Sequence, residues 1–213
     1  MNHPIADQNT LRLAAEHLQD VDPVLASLIR RAGLPTIKAH HNYYETLVGS
    51  VISQQLSVKA ADTIERRFRE LFGEEFPSPS QLLAEPIENL RSAGLSQAKA
   101  NYIRDLAGHI LSKELSFEHF DRSSNESIIK ELTAVKGIGE WTAHMFLMFC
   151  MGRLDVLAPG DLGIRNGIGQ LYGFTETPTP NDVIALAETR HWHPYETAAC
   201  WYIWHHLDNK PAV

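Results

Sequence analysis

The residues best suited to chemistry lie in one stretch, Leu132 to Asp161, LTAVKGIGEWTAHMFLMFCMGRLDVLAPGD. In Val135-Lys136-Gly137-Ile138-Gly139 two glycines permit a sharp turn, and the helix that must follow leaves its first amide N–H groups without intrahelical partners. Such a helix start suits a phosphate, and Lys136 adds positive charge. Twenty residues after Trp141 comes a carboxylate, Asp161, set beside Pro159 and Gly160 at the head of another helical run. The stretch thus joins an anion grip to an acid. Read locally, the same turn serves for packing alone, and Asp161 is an ordinary N-cap for LGIRNGI.

The elements that must position these groups are helical. Leu11, Ala14, Ala15, Leu18 and Val21 fall at helical spacing in a segment running from about Ile5. Asp22-Pro23 opens a second helix that ends before Gly33. A third runs from Tyr43 to Ser53, interrupted by Gln54-Gln55-Leu56, and Ser57 caps the next. Short helices follow Pro79, Pro86 and Ser96, another begins near Asn125 and Ser127, and later ones start at Asp161, Thr179-Pro180 and Pro194. Sustained alternation of apolar and polar residues is missing, so the expectation is an all-α protein of about ten helices. Residues 1–42 are expected to pack with 156–213 as one helical lobe, and 43–155 to form a central helical lobe, with a cleft between the two.

Composition narrows the class. At 213 residues, with 44% hydrophobic and 21% charged, the chain can bury a sizeable core and is globular. Cys150 and Cys200 fall in apolar helical runs and read as buried thiols of a reducing compartment. The N-terminus lacks the features of a signal peptide, and no apolar run has the length of a membrane span, which places the protein in the cytoplasm. The net charge of −7 weighs against a nucleic-acid partner, but it describes the average surface and not the field of one cleft. Lys59, Arg66, Lys99, Lys130, Lys136 and Arg165 lie near turns or helix starts and are either one basic face or scattered solvated charges. His40-His41 and His205-His206 point in different directions and no HExxH spacing occurs, so no metal site is expected.

Three segments, taken together, resemble a known family. Leu132 to Asp161 resembles the helix-hairpin-helix and Gly/Pro-Asp loop of the DNA glycosylases that share this signature. Glu45 to Ala61, ETLVGSVISQQLSVKAA, resembles a segment of their alkylation-repair branch, the type II 3-methyladenine glycosylases, and Trp192 to Leu207 resembles that branch's last helix. The likeness covers most of the chain from Tyr43 onward, in the compact form that lacks a β-rich N-terminal domain.

The resemblance implies a role for each candidate. Leu56 is the apolar wedge that fills the gap left by a flipped base, with Gln54 and Gln55 bonding exposed base edges. Lys136, Gly137, Gly139 and Arg165 contact the DNA backbone, and a monovalent cation is allowed at the hairpin, with no other cofactor. Asp161 stabilises the oxocarbenium character of the sugar and orients or deprotonates the attacking water. Trp204 is an aromatic wall of the base pocket, which attracts a cationic purine, and Trp141, Met145 and Leu162 line the same pocket. Relatives that also cut the backbone carry a lysine at the position of Trp141, which forms a Schiff base with the sugar. Tryptophan there implies base removal by water alone. Larger relatives often place tyrosines at Met145 and Leu162, and many place arginine at Glu196, a change that alters either the docking of the last helix or its approach to DNA. The implied activity is hydrolysis of the N-glycosidic bond of 3-methyladenine and 7-methylguanine in double-stranded DNA by a monomer. A hairpin module that binds DNA without catalysis is the alternative.

Overall fold

Side-chain caps fix where most helices start. Asp7 accepts the Thr10 N–H ahead of α1 (Gln8–Val21), and Asp22 accepts those of Val24 and Leu25 ahead of α2 (Pro23–Ala32). Ser57, Ser78, Ser96 and Ser124 do the same for α4 (Val58–Glu70), α5 (Pro79–Ala84), α7 (Gln97–Leu111) and α8 (Asn125–Thr133). Asp161 and Thr179 cap α10 (Leu162–Tyr172) and α11 (Pro180–Thr189). The remaining helices are α3 (Tyr43–Ser53), α6 (Ile87–Ser92), α9 (Glu140–Met145) and α12 (Glu196–Asp208). This computed structural model describes residues 3–73 and 75–208, among which there is no strand, only an isolated antiparallel bridge between Ile5 and Arg153. No helix among the described residues is long and apolar enough to cross a membrane.

Several boundaries differ from the sequence reading, each for a physical reason. The first helix starts at Gln8 and not near Ile5, because Ile5 is held in its bridge and Asp7 supplies the cap. The last starts at Glu196, after a turn in which the Tyr195 N–H donates to the Trp192 carbonyl (2.7 Å). The apolar run after the hairpin is α-helical only to Met145 and continues as a π-turn over Phe146–Cys150.

By their contacts the described residues form two compact units, 42–143 and 3–41 with 144–208. Residues 144–155, grouped with the central lobe in the sequence reading, cluster with the chain ends. Backbone hydrogen bonds account for this: His40 N–H to Cys150 O (2.8 Å), Ala6 N–H to Gly152 O (2.7 Å) and Leu154 N–H to Pro4 O (2.8 Å). In the first unit, the buried faces of α3 (Leu47, Val48, Val51, Ile52) and α7 (Ala100, Ile103, Leu106, Ala107) form the core, flanked by Phe68, Leu82 and Leu90.

In the second unit, Asp22 is fully buried between α1 and α2 and accepts hydrogen bonds from the Tyr172 hydroxyl (2.6 Å) and the Trp192 indole (2.9 Å) as well as its two cap amides. Four donors satisfy this carboxylate in a place where a lone charge would be costly. Helices α10 and α12 approach closely because Gly167 has no side chain: a Cβ there would stand 2.3 Å from Ile203 Cγ2. Gly167→Ala is therefore expected to overpack this contact and cost about 1–3 kcal/mol. A urea unfolding midpoint lowered to match is the expected result, and an unchanged midpoint would mean that the helices separate freely.

Candidate active site

The acid sits at the end of a tight turn. The Asp161 N–H donates to the Ala158 carbonyl (3.1 Å), closing Ala158-Pro159-Gly160-Asp161 just before α10 begins. One carboxylate oxygen, Oδ1, then accepts both the Ile164 N–H (2.7 Å) and the Trp204 indole N–H (2.9 Å). The N-cap read from the sequence is present, and the same oxygen is restrained by a second donor. The cap orients the carboxylate along α10, and a side chain from α12 fixes it from the side.

Gly163 makes room for this pair. A Cβ at that position would lie 3.0 Å from Asp161 Oδ1 and 3.1 Å from Trp204 Nε1. Phe149 completes an aromatic group, its ring centroid 5.8 Å from that of Trp204 and the ring 37% exposed. Behind the turn, the buried Thr197 on α12 holds the segment that leads to it. Its hydroxyl donates to the Arg153 carbonyl (2.8 Å), lies 3.0 Å from the Val156 carbonyl and accepts the Val156 N–H (3.3 Å). Gly163, Phe149 and Thr197 were not singled out in the sequence. Only Gly163, a glycine two residues after the acid inside a helix, carries a usable signal.

Other candidates take separate places. Leu162, next to the acid, is 61% exposed, and Trp141 is 52% exposed in the first turn of α9, one turn before the half-buried Met145. Arg165 donates its Nε to the Pro178 carbonyl (2.6 Å), which ties α10 to the loop ahead of α11. Glu196, the departure at the head of α12, has a side chain only 14% exposed and accepts from His193 Nδ1 (2.9 Å). Burial, and secondarily the nearby Asp155 carboxylate, raise its carboxyl above the ordinary value against the lowering effects of its own backbone N–H and His193. Burial also pushes the Cys200 thiol up to about 12, so it is inert as a nucleophile.

In the first unit the hairpin has its own support. Gly137 has φ 84°, and a Cβ would stand 2.3 Å from the Tyr102 ring, so both backbone and packing require glycine there. At Gly139 a Cβ would meet nothing within 4 Å, which leaves the backbone approachable. The Lys136 N–H donates to Asp105 Oδ2 (2.9 Å), and its ammonium, on a side chain 79% exposed, lies 3.8 Å from Asp105 Oδ1. Gln54 donates its side-chain amide to the Gly137 carbonyl (2.8 Å), while Gln55 and Leu56 are exposed at the tip of their turn. The carbonyls of Val135, Gly137 and Gly139 accept from Ile138, Gln54 and Ala143, so a cation at the hairpin would share oxygens already engaged. Among the described residues no three His, Cys, Asp or Glu side chains are placed to hold a metal ion.

A family model described as HhH-GPD superfamily base excision DNA repair protein matches residues 48–191. The chain is 31% identical over 196 residues to the alkylbase DNA glycosidase-like protein mag2 of Schizosaccharomyces pombe, covering 90% of this chain and 91% of that protein. It is similar to the crystal structure of DNA-3-methyladenine glycosidase from Bacillus halodurans, with a TM-score of 0.84 and 39% identity over 92% of this chain and 89% of that one. It also resembles a 3-methyladenine DNA glycosylase of Schizosaccharomyces pombe in complex with abasic DNA, with a TM-score of 0.82 and 33% identity over 94% of this chain and 99% of that one.

Two outcomes follow from the geometry. In Gly163→Ala the new methyl presses on the Asp161–Trp204 bond, so the Trp204 indole N–H resonance should shift and exchange faster with solvent; an unmoved resonance would show that the spacing is not set there. For Glu196, a carboxyl raised in the folded state adds stability that is complete below its unfolded value, near 4.5, and is lost as pH rises through the folded value. Glu196→Gln should therefore gain in melting temperature over the wild type as pH is raised from about 4 to 8, and a constant difference across that range would refute this.

Proposed function

The chain belongs to the HhH-GPD superfamily of base excision DNA repair proteins, and within it we propose that this protein is a monofunctional DNA glycosylase that removes alkylated purines, chiefly 3-methyladenine and 7-methylguanine, from duplex DNA. The observation that carries the reading is the Asp161 carboxylate, held through Oδ1 by the Ile164 amide and the Trp204 indole. As the glycosidic bond lengthens, positive charge builds on the sugar, and a carboxylate fixed in advance stabilises that state more than the ground state. Asp161 also orients, or deprotonates, the water that attacks the sugar. An alkylated purine carries positive charge, which favours an aromatic wall at Trp204; Met145 and Leu162, in the same unit, are assigned to that pocket.

Extrusion of the base falls to the Gln55–Leu56 tip, with Leu56 as the wedge. Gly137 and Gly139 offer backbone to a phosphate, with charge from Lys136 and Arg165. Gln54, whose amide is engaged with the hairpin, serves by shaping the loop. Trp141 stands where lyase members carry a lysine, so the product is an abasic site with the strand intact. The same reading places the protein in the cytoplasm, associated with the nucleoid if it is bacterial, and a monomer suffices for it.

The experiment is direct. The protein is incubated with methylated duplex DNA, released bases are quantified, and strand breaks are scored before and after alkali. Free base with breaks only after alkali is expected; binding without release would identify a non-catalytic DNA-binding module, and breaks without alkali a lyase. Asparagine at 161 keeps an oxygen to accept both N–H groups and remains a good N-cap, so Asp161→Asn removes the charge with little structural change. Its excision rate should fall by at least about 100-fold with the melting temperature nearly unchanged, and a wild-type rate would remove the assignment.

A further inference from the structure

The Gln54-Gln55-Leu56 loop is a turn with unusual backbone. The Leu56 N–H donates to the Ser53 carbonyl (3.1 Å), Gln54 has φ −48° and ψ 128°, and Gln55 has φ 57°. This is a type II turn, whose third position favours glycine because φ is positive there. A glutamine occupies it instead. Non-glycine residues in this region carry backbone strain and persist only when their surroundings hold them.

What holds this turn comes from α7. Lys99 Nζ donates to the Ile52 carbonyl (2.8 Å) and to the Gln54 carbonyl (2.7 Å). Both carbonyls lie at the C-terminal end of α3, where intrahelical partners run out and a positive charge is favoured. From the other side, the Gln54 side chain donates to the Gly137 carbonyl (2.8 Å). Residue 54 is therefore gripped through its backbone by Lys99 and through its side chain by the hairpin. Lys99 sits in the first turn of its own helix, where a cation is unfavourable. It is half-buried, and burial lowers its pKa. Placing an ammonium there has a local cost with no benefit to α7, so its effect lies in the turn it grips.

We propose that Lys99 is a positioning residue for base extrusion, touching neither base nor DNA, which holds the Ser53–Leu56 turn so that the exposed Leu56 side chain meets the duplex already in its inserting conformation. The inference rests on the glycosylase reading above. Without the ammonium the turn relaxes toward conformations free of strain at Gln55, and Leu56 must be ordered at the moment of insertion. The deficit then falls on extrusion and not on breaking the glycosidic bond.

Single-turnover excision separates the two steps. One duplex carries 7-methylguanine paired with cytosine, and a second carries it opposite an abasic-site analogue, where pairing no longer opposes extrusion. Lys99→Met should slow release from the paired duplex by about tenfold or more and from the unpaired one by no more than about threefold. In a Leu56→Ala background it should add nothing further, because the clamp acts through the wedge. Lys99→Arg, which keeps a donor for both carbonyls, should recover most of the paired-duplex rate. Equal slowing on both duplexes, or effects of Lys99→Met and Leu56→Ala that multiply, would overturn the proposal and leave Lys99 a structural residue. Should Lys99→Met not fold, Gln54→Leu removes the second grip on the same turn, its bond to the Gly137 carbonyl, and should show the same selective slowing; wild-type rates on both duplexes would be equally fatal. A wild-type protein that releases base from neither duplex would instead sink the glycosylase reading itself.

Discussion

The second unit depends on how closely α10 and α12 approach each other. Two glycines one helical turn apart, Gly163 and Gly167, face Trp204 and Ile203 across that contact, and side chains at either position would force the helices apart. With the gap closed, the Trp204 indole reaches Asp161, and the acid is restrained by two donors from different elements. Protein interiors pack densely enough that a single methyl is felt at such a contact. The restraint on the carboxylate is therefore a packing property before it is an electrostatic one. Thr197, in the first turn of α12, extends the same logic by stitching the segment before the acid to that helix.

The first unit solves a related problem with polar contacts. A turn that presents an apolar tip to solvent has little apolar packing of its own to fix it, and Leu56 is exposed there. Its shape comes from hydrogen bonds made one residue earlier, to Lys99 and to the Gly137 carbonyl. Gly137 in turn is fixed by Tyr102, which leaves no room for a side chain. Loop and hairpin are consequently coupled parts of one arrangement inside this unit, and a change in either alters the other.

The acidic balance of the chain becomes easier to understand against these contacts. Arg66 pairs with Glu70, Lys99 with carbonyls, Lys136 with Asp105 and Arg165 with the Pro178 carbonyl, so these cations have internal partners. A net charge of −7 is compatible with DNA as a partner when recognition relies on backbone amides and a wedge more than on a broad basic face. Glu196 takes part in the same economy of charge: its carboxylate turns inward to His193, so its effect is first on how α12 is seated.

Much of the fold was legible because helix starts are written locally. Serine, threonine or aspartate followed by proline or an apolar periodic run specifies a cap, and most such positions are caps in the structure. Boundaries moved where a local turn or a distant partner intervened, as at Glu196, which follows the Trp192–Tyr195 turn, and at Ile5, paired with Arg153. The sequence by itself determined an all-α chain with a glycine turn and an acid at a helix start, since these depend on neighbours a few residues away. It could not show that Trp204 donates to Asp161 across 43 residues, that Lys99 holds a turn 45 residues earlier, or that Gln54 reaches Gly137 across 83. A hydrogen bond between remote elements leaves no periodic trace along the chain, because its partners are chosen by the packing of helices and not by their spacing in sequence.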